Sequence, residues 1–281
     1  MPKPQPATKP QSADIKHILC IASGKGGVGK STTAVNLALA LAAENLRVGL
    51  LDADIYGPSI PLMMGIASGS RPEVRDKKYM LPVSAHGIVC NSMGLLVDAR
   101  TAMAWRAPMI ISAFNQILSD TLWGELDYLV VDMPPGTGDI QLSLAQTVSV
   151  AGAVIVTTPQ DVALLDARKG IEMFAKVGVP VLGVVENMST HICSQCGHEE
   201  PIFGQGGGDR LAAEYQVEVI GRMPLDILLR ERTDSGQPVV VSEPSSGSAQ
   251  AYRALASNVL RRTAEVSDST AGKPTITVSD D

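Results

Sequence analysis

SGKGGVGKST, residues 23–32, decides the fold. Gly24, Gly29, Lys30 and Ser31 satisfy the spacing GxxxxGK[ST], in which successive backbone N–H groups turn toward phosphate oxygens and the lysine reaches the outer phosphates. At that position the serine hydroxyl ligates Mg²⁺. The flanks complete the signature. Ile15–Ala22 (IKHILCIA) is a short run of β-branched and long aliphatic residues, and residues 32–43 (TTAVNLALALAA) strongly favour helix. Strand, glycine loop and helix stand in the order that aims a helix N-terminus at an anion. Lys25 is a second lysine that the pattern does not require.

Outward from the loop, apolar strand-like runs alternate with helix-like segments: LRVGLLD, LDYLVVD, GAVIVTTP, VPVLGVVEN and VEVIGRMP. The alternation predicts an α/β fold, a mostly parallel, doubly wound P-loop NTPase sheet flanked by helices. Residues 71–92 break the rhythm with charges, prolines and two short strand-like pieces, and read as a small β-hairpin insertion. A helix beginning near Thr101 carries Trp105, Met109, Ile110, Phe114 and Ile117 at helical spacing, which reads as a core face; Arg106 within it has no assigned role. Residues 1–14 are rich in Pro, Gln and Lys, and 264–281 are polar with an acidic end; both are expected to be disordered tails. That leaves 15–263 as one ATPase domain, with a cysteine loop at 188–204.

The chain has 281 residues and is 45% hydrophobic, ample for a buried core, and its net charge of −6 argues against a nucleic-acid partner. No apolar run is long enough to span a membrane and the N-terminus has no apolar leader segment, so no membrane partner and a cytoplasmic location are expected. The four cysteines are then expected to be reduced thiols. Cys20 and Cys90 fall inside strand-like runs, where a thiol behaves as a small hydrophobe.

Several strand-like runs end in polar residues: Asp52, Asp132, Thr158, Asn187 and Pro224. Ligands in open α/β sheets bind at the carboxyl ends of strands, so these residues are expected to converge on the glycine loop. Asp52 and Asp54, in DADIYGPS, fit a water-orienting or a metal-adjacent role. Asp132, closing YLVVD, fits a carboxylate holding Mg²⁺ through water.

SGKGGVGKST, DADIYGPS, VVDMPPGTGD, ENMSTHICSQCG and GRMPLD together resemble the Mrp (ApbC-like) family of iron–sulfur cluster carrier P-loop ATPases. That family belongs to the deviant-Walker-A class, which also holds MinD, ParA and the nitrogenase iron protein. The resemblance runs from Lys16 to Arg262 and implies ATP, Mg²⁺ and a [4Fe-4S] cluster. Gly24, Lys25, Gly26, Gly27, Val28, Gly29, Lys30, Ser31 and Thr32 would bind the nucleotide, with Ser31 on magnesium. Lys25 matches the signature lysine that reaches the partner subunit's nucleotide, Lys30 the phosphate lysine, and Asp54 the switch I aspartate that orients the attacking water. Asp132 and Gly136 match switch II. Asn187 and Pro224-Leu225-Asp226 match positions that contact the adenine base.

Cys193 and Cys196 form a CxxC pair, which brings two thiolates to one metal centre, whereas a tetrahedral thiolate site or a cluster needs four. A second copy of the loop from a symmetric partner would complete the set. The resemblance implies a [4Fe-4S] cluster bridging two such pairs. A zinc site that also uses His191 or His198, and a thioredoxin-like redox pair, stay open at this level. The expectation is a homodimeric ATPase with slow basal hydrolysis that takes a cluster from an assembly scaffold and passes it to apo-proteins. A MinD- or ParA-like positioning ATPase acting on membrane or DNA is the second reading. A small-molecule kinase or ligase is the third, and it leaves the cysteine loop without a purpose.

Overall fold

The structure, a computed structural model, describes residues 14–97, 105–147, 149–193 and 195–271. The chain opens with β1 (Ile15–Ala22), α1 (Lys30–Ala43), β2 (Val48–Asp52) and a single turn, α2 (Ile60–Met63). Four short strands follow, β3 (Val74–Arg75), β4 (Tyr79–Met80), β5 (Val83–Ala85) and β6 (Ile88–Ser92), and then α3 (Met93–Leu96) and α4 (Ala107–Asp120). The middle holds β7 (Leu126–Asp132), α5 (Asp139–Thr147), β8 (Gly152–Thr157), α6 (Asp161–Lys176) and the long β9 (Val181–Ile192). β10 (Glu199–Glu200), α7 (Gly207–Tyr215), β11 (Val219–Leu225), α8 (Ile227–Asp234), α9 (Val239–Ser242) and α10 (Gly247–Ala271) complete it.

The main sheet runs β10-β9-β8-β1-β7-β2-β6-β5, with β11 also paired to β9. All its pairings are parallel except β10 with β9 and β5 with β6. Such a sheet must be covered on both faces, and β2 (VGLLD) and β8 (GAVIVT) are buried along their whole length. Alternate residues of β1 feed two cores. Leu19 and Ile21 pack with Leu37 and Leu41 of α1 and Tyr252 and Leu255 of α10. Ile18 and Cys20 pack with Phe114 and Ile117 of α4 and Phe174 of α6. Burial pushes the Cys20 and Cys90 thiols up to about 12, so both are inert core groups, as expected for strand interiors.

Chain order and strand order cross at β1: the α1 connection leads to β2 on one side, while β7 lies between them and hands on to β8 on the other. The register sets Ile21 beside Asp132 and Asp52 beside Asp132, so the glycine loop and two carboxylates reach the same edge of the sheet.

The expected small hairpin is present as β3–β4, a sheet of its own, and the rest of 71–92 adds a second hairpin whose strand β6 joins the main sheet parallel to β2, where Ile88 and Cys90 are buried. Two expectations need correction. The acidic segment after residue 263 continues α10 to Ala271, held by Val266 against the core, by the Ser267 hydroxyl on the Thr263 carbonyl, and by Arg261 and Arg262 paired with Glu265. Met109 is half exposed: Ile110, Phe114 and Ile117 take the core face, and Trp105 packs partly against it. The helix start near Thr101, residues 1–13 and residues 272–281 lie outside the described residues.

Candidate functional site

The glycine loop leaves β1 at Ala22 and enters α1 at Lys30. Gly27 (φ 81°) and Gly29 (φ 84°) adopt left-handed backbone, open to glycine without strain. Gly24 is glycine for space: a Cβ there would stand 2.1 Å from the Asp166 carbonyl oxygen of α6. The loop is stitched from three directions. The Ser23 hydroxyl donates to the Lys25 carbonyl (2.9 Å), the Gly136 N–H donates to the Ser23 carbonyl (2.9 Å), and Asn187 Nδ2 donates to the Val28 carbonyl (2.8 Å). Thr33 Oγ1 closes the first turn of α1 on the Gly29 carbonyl. Gly26 and Gly27 stay exposed and Lys25 half-exposed, while Val28 is buried.

Lys30 is buried, and its ammonium lies 2.6 Å from Asp132 Oδ1, 3.2 Å from the Ser31 hydroxyl and 3.8 Å from Asp54 Oδ2. Asp132 Oδ2 is buried and has no hydrogen-bond partner among the described residues. Burial raises the Asp132 carboxyl, and the Lys30 cation opposes that. An orphaned carboxylate oxygen next to the Ser31 hydroxyl is a donor set that fits a hard, oxygen-seeking cation. Magnesium bound there would neutralise charge on phosphate oxygens.

Asp52 has a role that its sequence position did not reveal. Its Oδ1 accepts the Asp54 N–H (3.1 Å), and its Oδ2 accepts the Ile60 N–H (3.2 Å) and the Ser92 hydroxyl (2.9 Å). One buried carboxylate thus shapes the whole loop between β2 and α2. Burial and the neighbouring Asp132 push it up to about 7, partly offset by those hydrogen bonds and by Lys30. The loop presents Asp54, nearly buried, with its Oδ1 accepting the Gly57 N–H. Behind Gly136 (φ 104°), Gln141 donates to the carbonyls of Pro134 and Pro135 and fixes the second loop.

A cavity of about 250 Å³ opens beside the loop, lined by Gly29, Thr32, Asn187, Pro224, Leu225 and Asp226 among others. The structure therefore brings the residues expected around a base to one place. Asn187 lies inside β9, which runs on to Ile192, rather than at a strand end. The Asp226 carboxylate is committed locally: Oδ1 caps α8 at the Leu228 N–H, and Oδ2 accepts the Ser248 hydroxyl.

The cysteine segment is a β-hairpin rather than a loop. β9 and β10 pair Ile192 with Glu199, and the turn between them carries Cys193 and Cys196. The Cys193 N–H donates to the His198 carbonyl and the Gly197 N–H to the Cys193 carbonyl, both at 2.9 Å. Backbone N–H groups of Gln195 and Cys196, and then the Cys196 thiol, bond the Cys193 sulfur and lower its pKa. His191 Nδ1 is engaged with the Leu225 carbonyl (3.2 Å). Among the described residues no group of three or more His, Cys, Asp or Glu is arranged to hold a metal ion, so Cys193 and Cys196 are not joined there by His191 or His198 in the zinc arrangement weighed from sequence. After the hairpin, Gly207 and Gly208 are packed: a Cβ at Gly207 would meet the Pro159 carbonyl at 2.6 Å, and the Gly208 N–H donates to the buried Glu186 carboxylate.

Comparison with known proteins converges on one family. The model of the ParA-type "NUBPL iron-transfer P-loop NTPase" matches residues 14–260. The iron-sulfur cluster carrier protein of Pseudomonas fragi is 61% identical over 247 residues, covering 88% of this chain and 86% of that one. The Escherichia coli carrier of the same name is 61% identical over 245 residues, 87% of this chain but 66% of its own length. The mouse iron-sulfur cluster transfer protein NUBPL is 54% identical over 250 residues, 88% and 78% of the two chains. Among solved structures, a nucleotide-binding protein from Archaeoglobus fulgidus in complex with ADP superposes with a TM-score of 0.74 at 36% identity, over 86% of this chain and 94% of that one. The Pyrococcus furiosus cell division ATPase MinD superposes at 0.65 with 23% identity, a likeness of fold.

Proposed function

The chain belongs to the iron-transfer P-loop NTPase family, and from that premise we propose that it is a homodimeric ATPase that carries an iron–sulfur cluster and delivers it to apo-proteins. One observation carries the reading: β9 supplies Asn187 to the nucleotide loop and, past its end, holds Cys193 and Cys196 on an exposed turn. The names of the relatives from P. fragi, E. coli and mouse agree with it.

In this reading Lys30 leaves its carboxylate partners for the β- and γ-phosphates, Ser31 and Asp132 hold Mg²⁺, and Asn187 and Pro224 flank the base. Asp226 acts from behind, by fixing the α8 and α10 ends. Asp54 orients the attacking water, and Lys25 of each subunit adds charge at the partner's nucleotide. Hydrolysis is slow, because the water must be ordered by loops at a subunit interface. The cargo is a [4Fe-4S] cluster held by Cys193 and Cys196 from both subunits, loaded from an assembly scaffold in the cytoplasm. The alternative of a MinD-like positioning ATPase assigns the cysteine hairpin no work.

Anaerobic reconstitution followed by iron and sulfide analysis tests the proposal. Wild-type dimer is expected to hold one cluster, and the double variant Cys193→Ala, Cys196→Ala to hold none. Equal cluster content in the two proteins would sink it.

A further inference from the structure

The base cavity has a wall that comes from outside the nucleotide motifs. Beside the strand residues Asn187 and Pro224, and Leu229 and Thr233 of α8, it is lined by Met63 of α2. Met63 is partly buried against the core, and its long, unbranched, polarizable thioether adapts well to an aromatic ring. Asn187 and Pro224 stand on the sheet, whereas Met63 stands just beyond the loop that presents Asp54.

α2 is held at both ends. At its start the Ile60 N–H donates to Asp52 Oδ2 (3.2 Å), and the other oxygen of that carboxylate accepts the Asp54 N–H (3.1 Å). Within the turn the Met64 N–H closes on the Ile60 carbonyl (2.9 Å) and the Gly65 N–H on the Leu62 carbonyl (3.0 Å). At its end Gly65 (φ 65°) lies backbone to backbone against Gly236 (φ 71°), just past α8. A Cβ on Gly65 would stand 2.8 Å from the Gly236 carbonyl oxygen, and one on Gly236 would stand 2.5 Å from the Gly65 Cα. His86, between β5 and β6, holds the same Gly236 carbonyl, with Nε2 3.0 Å away. A single turn fastened at both ends moves as one piece, so a displacement at Met63 reaches Ile60 and, through the Asp52 carboxylate, the Asp54 N–H.

Resting on the ATPase reading above, we infer that Met63 is a specificity-determining residue for the nucleotide: its contact with the base sets α2, and α2 sets the loop that presents Asp54. The base then contributes to the rate of hydrolysis as well as to affinity, because binding energy from a remote part of the substrate is used to order the reacting centre. A triphosphate without a base engages Lys30 and Ser31 and leaves Met63 untouched.

The full chain is assayed with Mg²⁺ and ATP, and inhibition by inorganic tripolyphosphate, which has the phosphates but no base, is measured in the same assay. Met63→Ala is expected to raise KM for ATP and to lower kcat, each about tenfold, with Ki for tripolyphosphate unchanged. Met63→Leu, which refills most of the volume, is expected to recover most of both losses. A general loosening of the site would move the tripolyphosphate Ki as well, and that result overturns the assignment. A rise in KM alone makes Met63 a passive wall and overturns the coupling to Asp54; unchanged KM and kcat overturn both. In a second arm, Gly65→Ala drives a Cβ toward the Gly236 carbonyl and displaces α2 with the Met63 side chain intact. It is expected to lower kcat for ATP with Ki for tripolyphosphate unchanged, and wild-type turnover in a folded Gly65→Ala protein overturns the route through α2. If Gly65→Ala does not fold, the Met63 variants decide alone. A wild-type chain that neither binds nor hydrolyses ATP defeats the ATPase reading itself, an outcome separate from any difference between variants.

Discussion

Asp52 is the residue whose environment most exceeds its sequence context. From the chain it is one of two acids after a strand; in the fold it is a buried acceptor for three donors that set the position of Asp54. Nothing local marks that role, because the Ser92 and Ile60 donors come from elements brought alongside by folding. Its folded pKa of about 7 exceeds an unfolded aspartate value of about 4. The folded state thus binds the proton more tightly, so Asp52 contributes stability below about pH 4 that is lost as pH rises through about 7. Asp132 is shifted the same way. Asp52→Asn is therefore expected to flatten the fall in unfolding free energy between about pH 4 and about pH 7 without abolishing it. Urea denaturation at a series of pH values measures this; an unchanged slope would contradict the assignment. The same variant loses the acceptor for one loop N–H and should hydrolyse ATP more slowly.

At the scale of elements, the glycine loop was legible because its chemistry is local: spacing, a strand before it and a helix after it. Its tolerance was not, since that depends on which elements crowd it. Gly24 abuts the α6 backbone, while a Cβ at Gly26 would meet nothing within 4 Å. Gly24→Ala is expected to cost about 1–3 kcal/mol by overpacking and to weaken nucleotide binding. Gly26→Ala should leave stability within about 0.5 kcal/mol of wild type. Thermal unfolding of the two variants, with titration of a fluorescent ATP analogue, separates a packing effect from a phosphate effect. The C-terminal helix shows the opposite limit. Its last turns, AEVSDSTA, have too little apolar patterning to announce a helix, and tertiary support from Val266 and pairing of Arg261 and Arg262 with Glu265 carries α10 onward. The cysteine hairpin was read as a loop for a related reason: β9 continues beyond Asn187 through polar residues, and Met188 there adopts φ 56°.

For the whole molecule, the doubly wound sheet and the convergence of strand ends on one edge followed from alternation of apolar runs, and the described fold has that plan. Quaternary structure is where Lys25 and the cysteine pair should speak together. Lys25 is half-exposed on the loop, outside the buried cluster around Lys30. Lys25→Ala is expected to keep the fold and bind nucleotide within a fewfold of wild type, but to lose ATP-dependent dimerisation and most hydrolysis. Sedimentation velocity with and without a non-hydrolysable ATP analogue reads the first effect. Persistence of the nucleotide-dependent dimer would remove Lys25 from the interface.

The length and position of β9 carry one more implication. A glycine-loop core and a cysteine-bearing segment are often separable modules that can be cut apart and recombined, but here a single strand is wall to the one and stem to the other. Only five residues separate Asn187 from Cys193, and His191 among them is fastened to β11. The hairpin is therefore no portable cassette: grafted to another strand it would keep its thiols and lose its address relative to the nucleotide.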